Sequence, residues 1–140
     1  MGIKYVLADD VKKRSEEIIN LMNWNYIDKE NVSYIRSFGS TARNTIARCH
    51  ALGKAMQIGM NRKTSFYLIE VISENFDRLS ENEKIKVIIH ELMHIPRTFG
   101  GGFIHHDKVN DKNVDIQYKK YIDLKLDDKI YNREYKSKWF

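Results

Sequence analysis

One segment, residues 80–96 (SENEKIKVIIHELMHIP), most constrains how this 140-residue chain can fold. It opens with Ser80 and Glu83, spaced as in a capping box, a common signal for the start of a helix. Pro96 marks its end, because proline disfavours a helical conformation in the residue before it. The apolar residues between these signals recur at helical spacing, and they are Ile85, Ile88, Ile89, Leu92 and Ile95. The segment therefore predicts an amphipathic helix with both ends marked.

Two histidines lie on the other side of this predicted helix. His90 and His94 are four residues apart, so they stand one turn above each other, on an arc nearly opposite the isoleucines. From there both imidazoles can reach one zinc ion at about 2.0–2.1 Å. Glu91 points beside the metal, where it can take a proton from a metal-bound water. The sequence HELMH thus predicts zinc ligands at His90 and His94 and a general base at Glu91, as in HExxH zinc hydrolases.

The simpler alternative is a surface helix that carries two histidines without a function. A pattern such as HExxH, with three fixed residues among five, arises by chance on the order of once in a few hundred chains of this length. Here the motif also lies on a capped helix, follows a predicted buried strand, and faces away from the predicted core. These features together favour a metal site.

A catalytic zinc needs a third protein ligand, with the fourth position left to water. HExxH enzymes often take it from a histidine six residues further on or from a glutamate of a later helix. Here the first position is Gly100, and the only glutamate after Glu91 is Glu134, far down the tail. His105, His106, Asp107 and Asp111 remain, after three consecutive glycines that could reverse the chain. We expect His106 as the ligand and keep His105 as the alternative, with Asp107 as a group that could orient the ligand.

Other candidates are weaker. Cys49 and His50 are neighbours, but a small buried residue beside a surface histidine explains them more simply than a second metal site does. Arg97, Tyr118 and Tyr121 could each stabilise an oxyanion, and nothing in the sequence singles one out.

The remaining patterns predict an α+β fold. Predicted helices cover residues 8–22 and 109–122, and predicted strands cover residues 32–38 and 65–72. Residues 45–60 fit either state, with a weak preference for strand in the first half. We expect one domain over residues 1–140, with a small, mainly antiparallel sheet on which the HExxH helix packs. We also expect a C-terminal tail that is less ordered from about residue 125.

Composition limits the partners and the compartment. Hydrophobic residues make up 42% and charged residues 31%, as in soluble globular proteins. The net charge of +5 is compatible with nucleic acid, although the basic residues are scattered among acidic ones and form no binding motif. Cys49 is the only cysteine, and no segment has the length of a membrane span or a secretory signal. We expect a cytoplasmic protein, of an oligomeric state that the sequence does not specify.

The text FYLIEVISENFDRLSENEKIKVIIHELMHIP, with the glycine-rich loop and histidines after it, resembles the archaeal and phage putative metallopeptidases, small zincin-like proteins. The likeness is best over residues 66–107. It implies a zinc-binding fold with His90 and His94 as ligands and Glu91 as base. The chain is also distantly similar to SprT-like metalloproteases, in which a histidine of a short downstream motif completes the site. The sequence HDKV at His106 echoes that motif, with an aspartate in place of the usual small residue.

The leading hypothesis is therefore a zinc-dependent metallopeptidase acting on a peptide or protein. One alternative is a metal-dependent endoribonuclease, like bacterial enzymes with an HGxxH helix and a downstream histidine; Glu91 argues against it. Another is a zinc-stabilised, non-catalytic module that binds nucleic acid.

Overall fold

A four-stranded mixed sheet with helices packed against it forms the centre of the fold. The structure is a computed structural model that describes residues 2–139, with side chains described as far as residue 134. In chain order the elements are β1 (Lys4–Leu7), α1 (Asp9–Leu21), β2 (Val32–Phe38), β3 (Ala47–Ala51), α2 (Lys54–Gly59), β4 (Tyr67–Ile72), α3 (Ser73–Phe76), α4 (Glu81–Met93) and α5 (Asp111–Trp139). The predicted α+β class is confirmed.

The strands lie in the order β1-β2-β4-β3. The β1–β2 and β3–β4 pairs are antiparallel, and the central β2–β4 pair is parallel, with Val32 opposite Tyr67. The sheet is thus mainly antiparallel, as predicted. Its order leaves β3 at one edge, and no strand within residues 2–139 pairs with its outer side.

The core lies between one face of the sheet and helices α1 and α4. Alternate residues of β2 and β4 point into it, and so does the apolar side of each helix. The fully buried members of this core include Val11, Ile18, Ile19, Tyr67, Ile69, Val71, Ile88, Ile89 and Leu92. The apolar arc predicted for residues 85–95 is therefore the surface that places α4 on the sheet.

The start of α4 follows the predicted capping box. The Ser80 hydroxyl accepts from the Glu83 amide at 3.2 Å and donates to the Glu83 carboxylate at 3.0 Å. The helix ends at Met93, with His94 as its C-cap, two residues before Pro96. Both ends of the helix are therefore close to the positions that the sequence marks.

Helix α5 differs most from its predicted extent. It begins at Asp111 and continues past residue 122 to Trp139. Its first half is held by the buried Tyr121, whose hydroxyl donates to Glu17 of α1 at 2.7 Å, and by an ion pair of Lys125 with the same carboxylate. Phe140 and the side chains from residue 135 lie outside the described residues, so the predicted loss of order in the tail stays a prediction. Within residues 2–139 no helix is long and apolar enough to cross a membrane.

Candidate metal centre

Helix α4 presents three polar side chains at its C-terminal end. Its opposite side packs on the sheet, so His90, Glu91 and His94 are turned towards a cleft beside the edge of the sheet. The His90 and His94 rings have their centroids 5.0 Å apart, as expected one helical turn apart. Unlike an ordinary surface group, His94 is 2% exposed and Glu91 5% exposed.

The loop after α4 brings a third histidine to the same place. Phe99 and Gly101 have positive φ angles of 48° and 91°, which turn the chain back towards the helix. The Ile104 amide then donates to the His94 carbonyl at 2.8 Å. Two residues later, His106 lies with its ring centroid 4.8 Å from that of His94.

Potential ligand atoms of His90, His94 and His106 all lie within 4.8 Å of one another, the only such group among the described residues. His105 lies outside this group, with its exposed ring 5.5 Å from that of Phe103. The structure therefore places His106, the preferred candidate from the sequence, beside His90 and His94, and it does not place His105 there.

Contacts in the loop fix the orientation of the His94 ring. Its Nδ1 is hydrogen-bonded to the Ile104 carbonyl. Because a carbonyl oxygen can only accept, Nδ1 carries the proton and Nε2 has a free lone pair. The Phe103 ring stacks on the imidazole at 4.4 Å with an interplanar angle of 15°. His94 thus has one nitrogen available to a ligand and little freedom to rotate.

The electrostatics of the site suit a bound cation. Burial, together with the neighbouring histidines, lowers the pKa of His90 and of His94, which favours the neutral form that binds metals. Burial also raises the pKa of Glu91 to about 7. Its Oε2 is buried without a hydrogen-bond partner among the described residues. Three imidazoles beside a buried carboxylate with an unpartnered oxygen are a donor set that fits a divalent ion such as zinc.

The cleft at this site has a volume of about 880 Å³. Consecutive residues 44–50, which include most of β3, line one side of it, and α4 with the start of α5 lines the other. Cys49 points towards α4, and burial raises the pKa of its thiol to about 12, so the thiol keeps its proton at neutral pH. The imidazole of His50 instead binds the Glu70 carboxylate at 2.9 Å. Because neighbours on a strand point to opposite faces, Cys49 and His50 do not form a shared site.

The outer side of β3 carries backbone groups that no strand within residues 2–139 pairs. The Leu52 amide donates to the Phe66 carbonyl and the Ile72 amide to the Ile46 carbonyl, so the even-numbered residues of this segment bond to β4. The odd-numbered residues therefore direct their N–H and C=O groups away from the sheet. They are Ala47, Cys49 and Ala51. The sequence did not show which strand forms this edge, because strand order depends on long-range pairing.

The three oxyanion candidates named from the sequence do not line this cleft. The Tyr121 hydroxyl is bound to Glu17, and the Tyr118 ring lies 4.9 Å below the Lys86 ammonium. The side chain of Arg97 is not among the groups that line the cleft.

A family model described as putative phage metallopeptidase matches residues 3–128, from β1 into the second half of α5. No curated protein and no solved structure matches the chain.

Proposed function

The chain belongs to the family of putative phage metallopeptidases, and we propose that it is a zinc-dependent peptidase in which His90, His94 and His106 hold the metal and Glu91 is the general base. The observation that carries the proposal is the convergence of three imidazoles beside a buried carboxylate whose Oε2 has no partner among residues 2–134. A structural carboxylate at such a depth would normally be paired. A buried carboxylate with one oxygen left without a partner, in a cleft, is typical of a group that acts on protons.

When bound, zinc supplies a Lewis acid that polarises the substrate carbonyl and acidifies water. The chain then has to move one proton. Glu91, with a pKa of about 7, can accept it from the attacking water and deliver it to the leaving amine. The Ile104 carbonyl keeps the second nitrogen of His94 protonated, so the other stays directed at the metal.

A peptide in extended conformation suits the open edge of the sheet. Residues 47, 49 and 51 present unpaired backbone groups there, and a peptide can add to such an edge as a further strand. Their side chains are small and are packed towards α4, which leaves room above the histidines. We therefore propose an extended segment of a peptide or protein as the substrate. With one cysteine and no disulfide, we place its action in the cytoplasm.

The direct test is Glu91→Gln in the full chain, compared with Glu81→Gln, which removes an exposed carboxylate from the same helix. Glu91→Gln should retain stoichiometric zinc by elemental analysis and lose cleavage of a casein-type substrate by roughly 10²- to 10⁴-fold. Glu81→Gln should keep both. Wild-type protein without zinc, or Glu91→Gln with undiminished cleavage, would overturn the proposal. Cleavage of RNA but not of peptide would favour the endoribonuclease alternative.

A further inference from the structure

Tyr67, the first residue of β4, reaches from the core into the glycine-rich loop. Its side chain is fully buried. The hydroxyl donates to the Gly102 carbonyl at 2.8 Å and accepts from the Gly101 amide at 2.9 Å. One hydroxyl thus satisfies two successive backbone groups of the loop.

The ring of Tyr67 holds a second part of the same loop. It contacts the Phe99 ring edge-on, with centroids 4.9 Å apart. Phe99 has a φ of 48°, an unfavourable conformation for a residue with a side chain, and Gly101 has a φ of 91°. Such conformations persist only where surrounding contacts impose them. Tyr67 makes contacts at both of these positions.

The loop carries His106, whereas His90 and His94 are carried by α4. After Gly102 the chain continues directly to Phe103 and Ile104, which stack on and hydrogen-bond to the His94 ring. The turn that Tyr67 contacts is therefore only a few residues away from His106 along the chain. The Tyr67 hydroxyl holds residues 101 and 102, and Ile104 is held by His94, so both contacts bear on the segment that leads to His106.

We propose that Tyr67 is a positioning residue for the metal centre: it fixes the turn at residues 99–102 and so holds His106 at the distance from His90 and His94 that a shared ion requires. This role rests on the proposed function, because it presupposes that the three histidines bind a metal. Tyr67 does not touch the metal or the substrate. It acts through the backbone of the loop.

The test compares Tyr67→Phe with Tyr34→Phe in the full chain. Tyr34 is a buried tyrosine on the same face of the sheet, on the neighbouring strand β2, and it makes no hydrogen bond to the loop among the described residues. Zinc affinity is measured by competition with a chromophoric chelator, and unfolding by urea is measured on the metal-free proteins. Amide exchange over residues 97–106 reports the opening of the loop.

Tyr67→Phe should weaken zinc binding about tenfold, at the lower end of the effect typical of groups that orient metal ligands. It should also speed exchange within residues 97–106. Tyr34→Phe should affect only the stability to urea and should leave zinc affinity within about twofold of wild type. Loss of affinity in both variants, or in neither, would overturn the positioning role.

A second variant covers the possibility that Tyr67→Phe does not fold. Phe99→Leu removes the ring contact but leaves the hydroxyl in place, and it should weaken zinc binding by about threefold, because an aromatic pair contributes a modest stabilisation beyond its buried area. Unchanged affinity in that variant would then overturn the role. If wild-type protein binds no zinc, the proposed function fails and the positioning role with it. If wild type binds zinc but does not cleave peptides, only the proposed activity fails, and the affinities still decide the role of Tyr67.

Discussion

Replacing Glu91 by glutamine should make the stability of the metal-free protein less sensitive to pH. Glu91 is 5% exposed, and burial raises the pKa of its carboxyl from 4.5 to about 7. Between these two values the folded state binds more protons at this carboxyl than the unfolded state does. The contribution of Glu91 to the free energy of unfolding therefore falls as the pH rises through this window.

The size of this effect follows from the two pKa values. Linkage gives a loss of about 2.5 kcal/mol between pH 5 and pH 8 for a carboxyl whose pKa is 4.5 unfolded and about 7 folded. Glutamine does not titrate, so this decrease in the free energy of unfolding is absent from the variant. The buried amide could carry a fixed cost of its own, but that cost is the same at both pH values. The difference in free energy of unfolding, Glu91→Gln minus wild type, should thus be about 2.5 kcal/mol larger at pH 8 than at pH 5.

The assay is urea unfolding of chelator-treated proteins at pH 5 and pH 8, followed by far-UV circular dichroism. Wild type and variant share all other titrating groups, so most of the remaining pH dependence cancels in the difference. Glu81→Gln is the matched control, since it changes a carboxylate of the same helix that is 63% exposed, and its difference from wild type should vary less between the two pH values than that of Glu91→Gln. A difference between Glu91→Gln and wild type that is the same at both pH values would refute the account of Glu91 as a carboxyl that is costly to ionise.

The remaining predictions concern the ligands, the loop and the helix start. His106→Ala should weaken zinc binding by more than about 100-fold and His105→Ala by less than about threefold, in the same chelator competition; the reverse order would exchange their roles. Gly101→Ala should cost about 1–2 kcal/mol in urea unfolding, because φ is 91° and the added Cβ would lie 3.2 Å from a serine oxygen, whereas Gly53→Ala meets no atom within 4 Å and should cost little. Equal costs would contradict that reasoning. Ser80→Ala should lower the free energy of unfolding by about 1 kcal/mol through loss of the helix cap, and Ser80→Asp, which can also cap, should restore most of it.

Local signals in the sequence were sufficient for the elements that the site is built on. The strand predicted over residues 32–38 is β2 with the same bounds, and the helix predicted over residues 8–22 is α1 to within one residue at each end. The spacing of Ser80 and Glu83 located the start of α4 because capping depends only on residues a few positions apart. The resemblance to the archaeal and phage putative metallopeptidases, which is carried by the same segment, is confirmed by the family match.

Features that depend on distant residues were harder to predict. The short strand β1, exposed along its whole length, has no alternation in burial and becomes a strand only through its pairing with β2. The ambiguous residues 45–60 contain the strand β3 and the helix α2. Residues 47–51 form a strand because they pair with β4. The unpaired edge that makes β3 a candidate substrate site also follows from the strand order rather than from its own residues.

The choice between His105 and His106 shows most clearly where local reasoning ends. The two histidines are adjacent in the sequence, and only the echo of a downstream motif at His106 favoured one over the other. The register of the loop decides, and that register is set by contacts made elsewhere: Tyr67 at Gly101 and Gly102, and His94 at Ile104. A shift of one residue in this loop would replace one imidazole by the other. Since Tyr67 precedes the loop by more than thirty residues, the geometry of the proposed metal site depends on a contact that neither the HELMH motif nor its flanking residues contain.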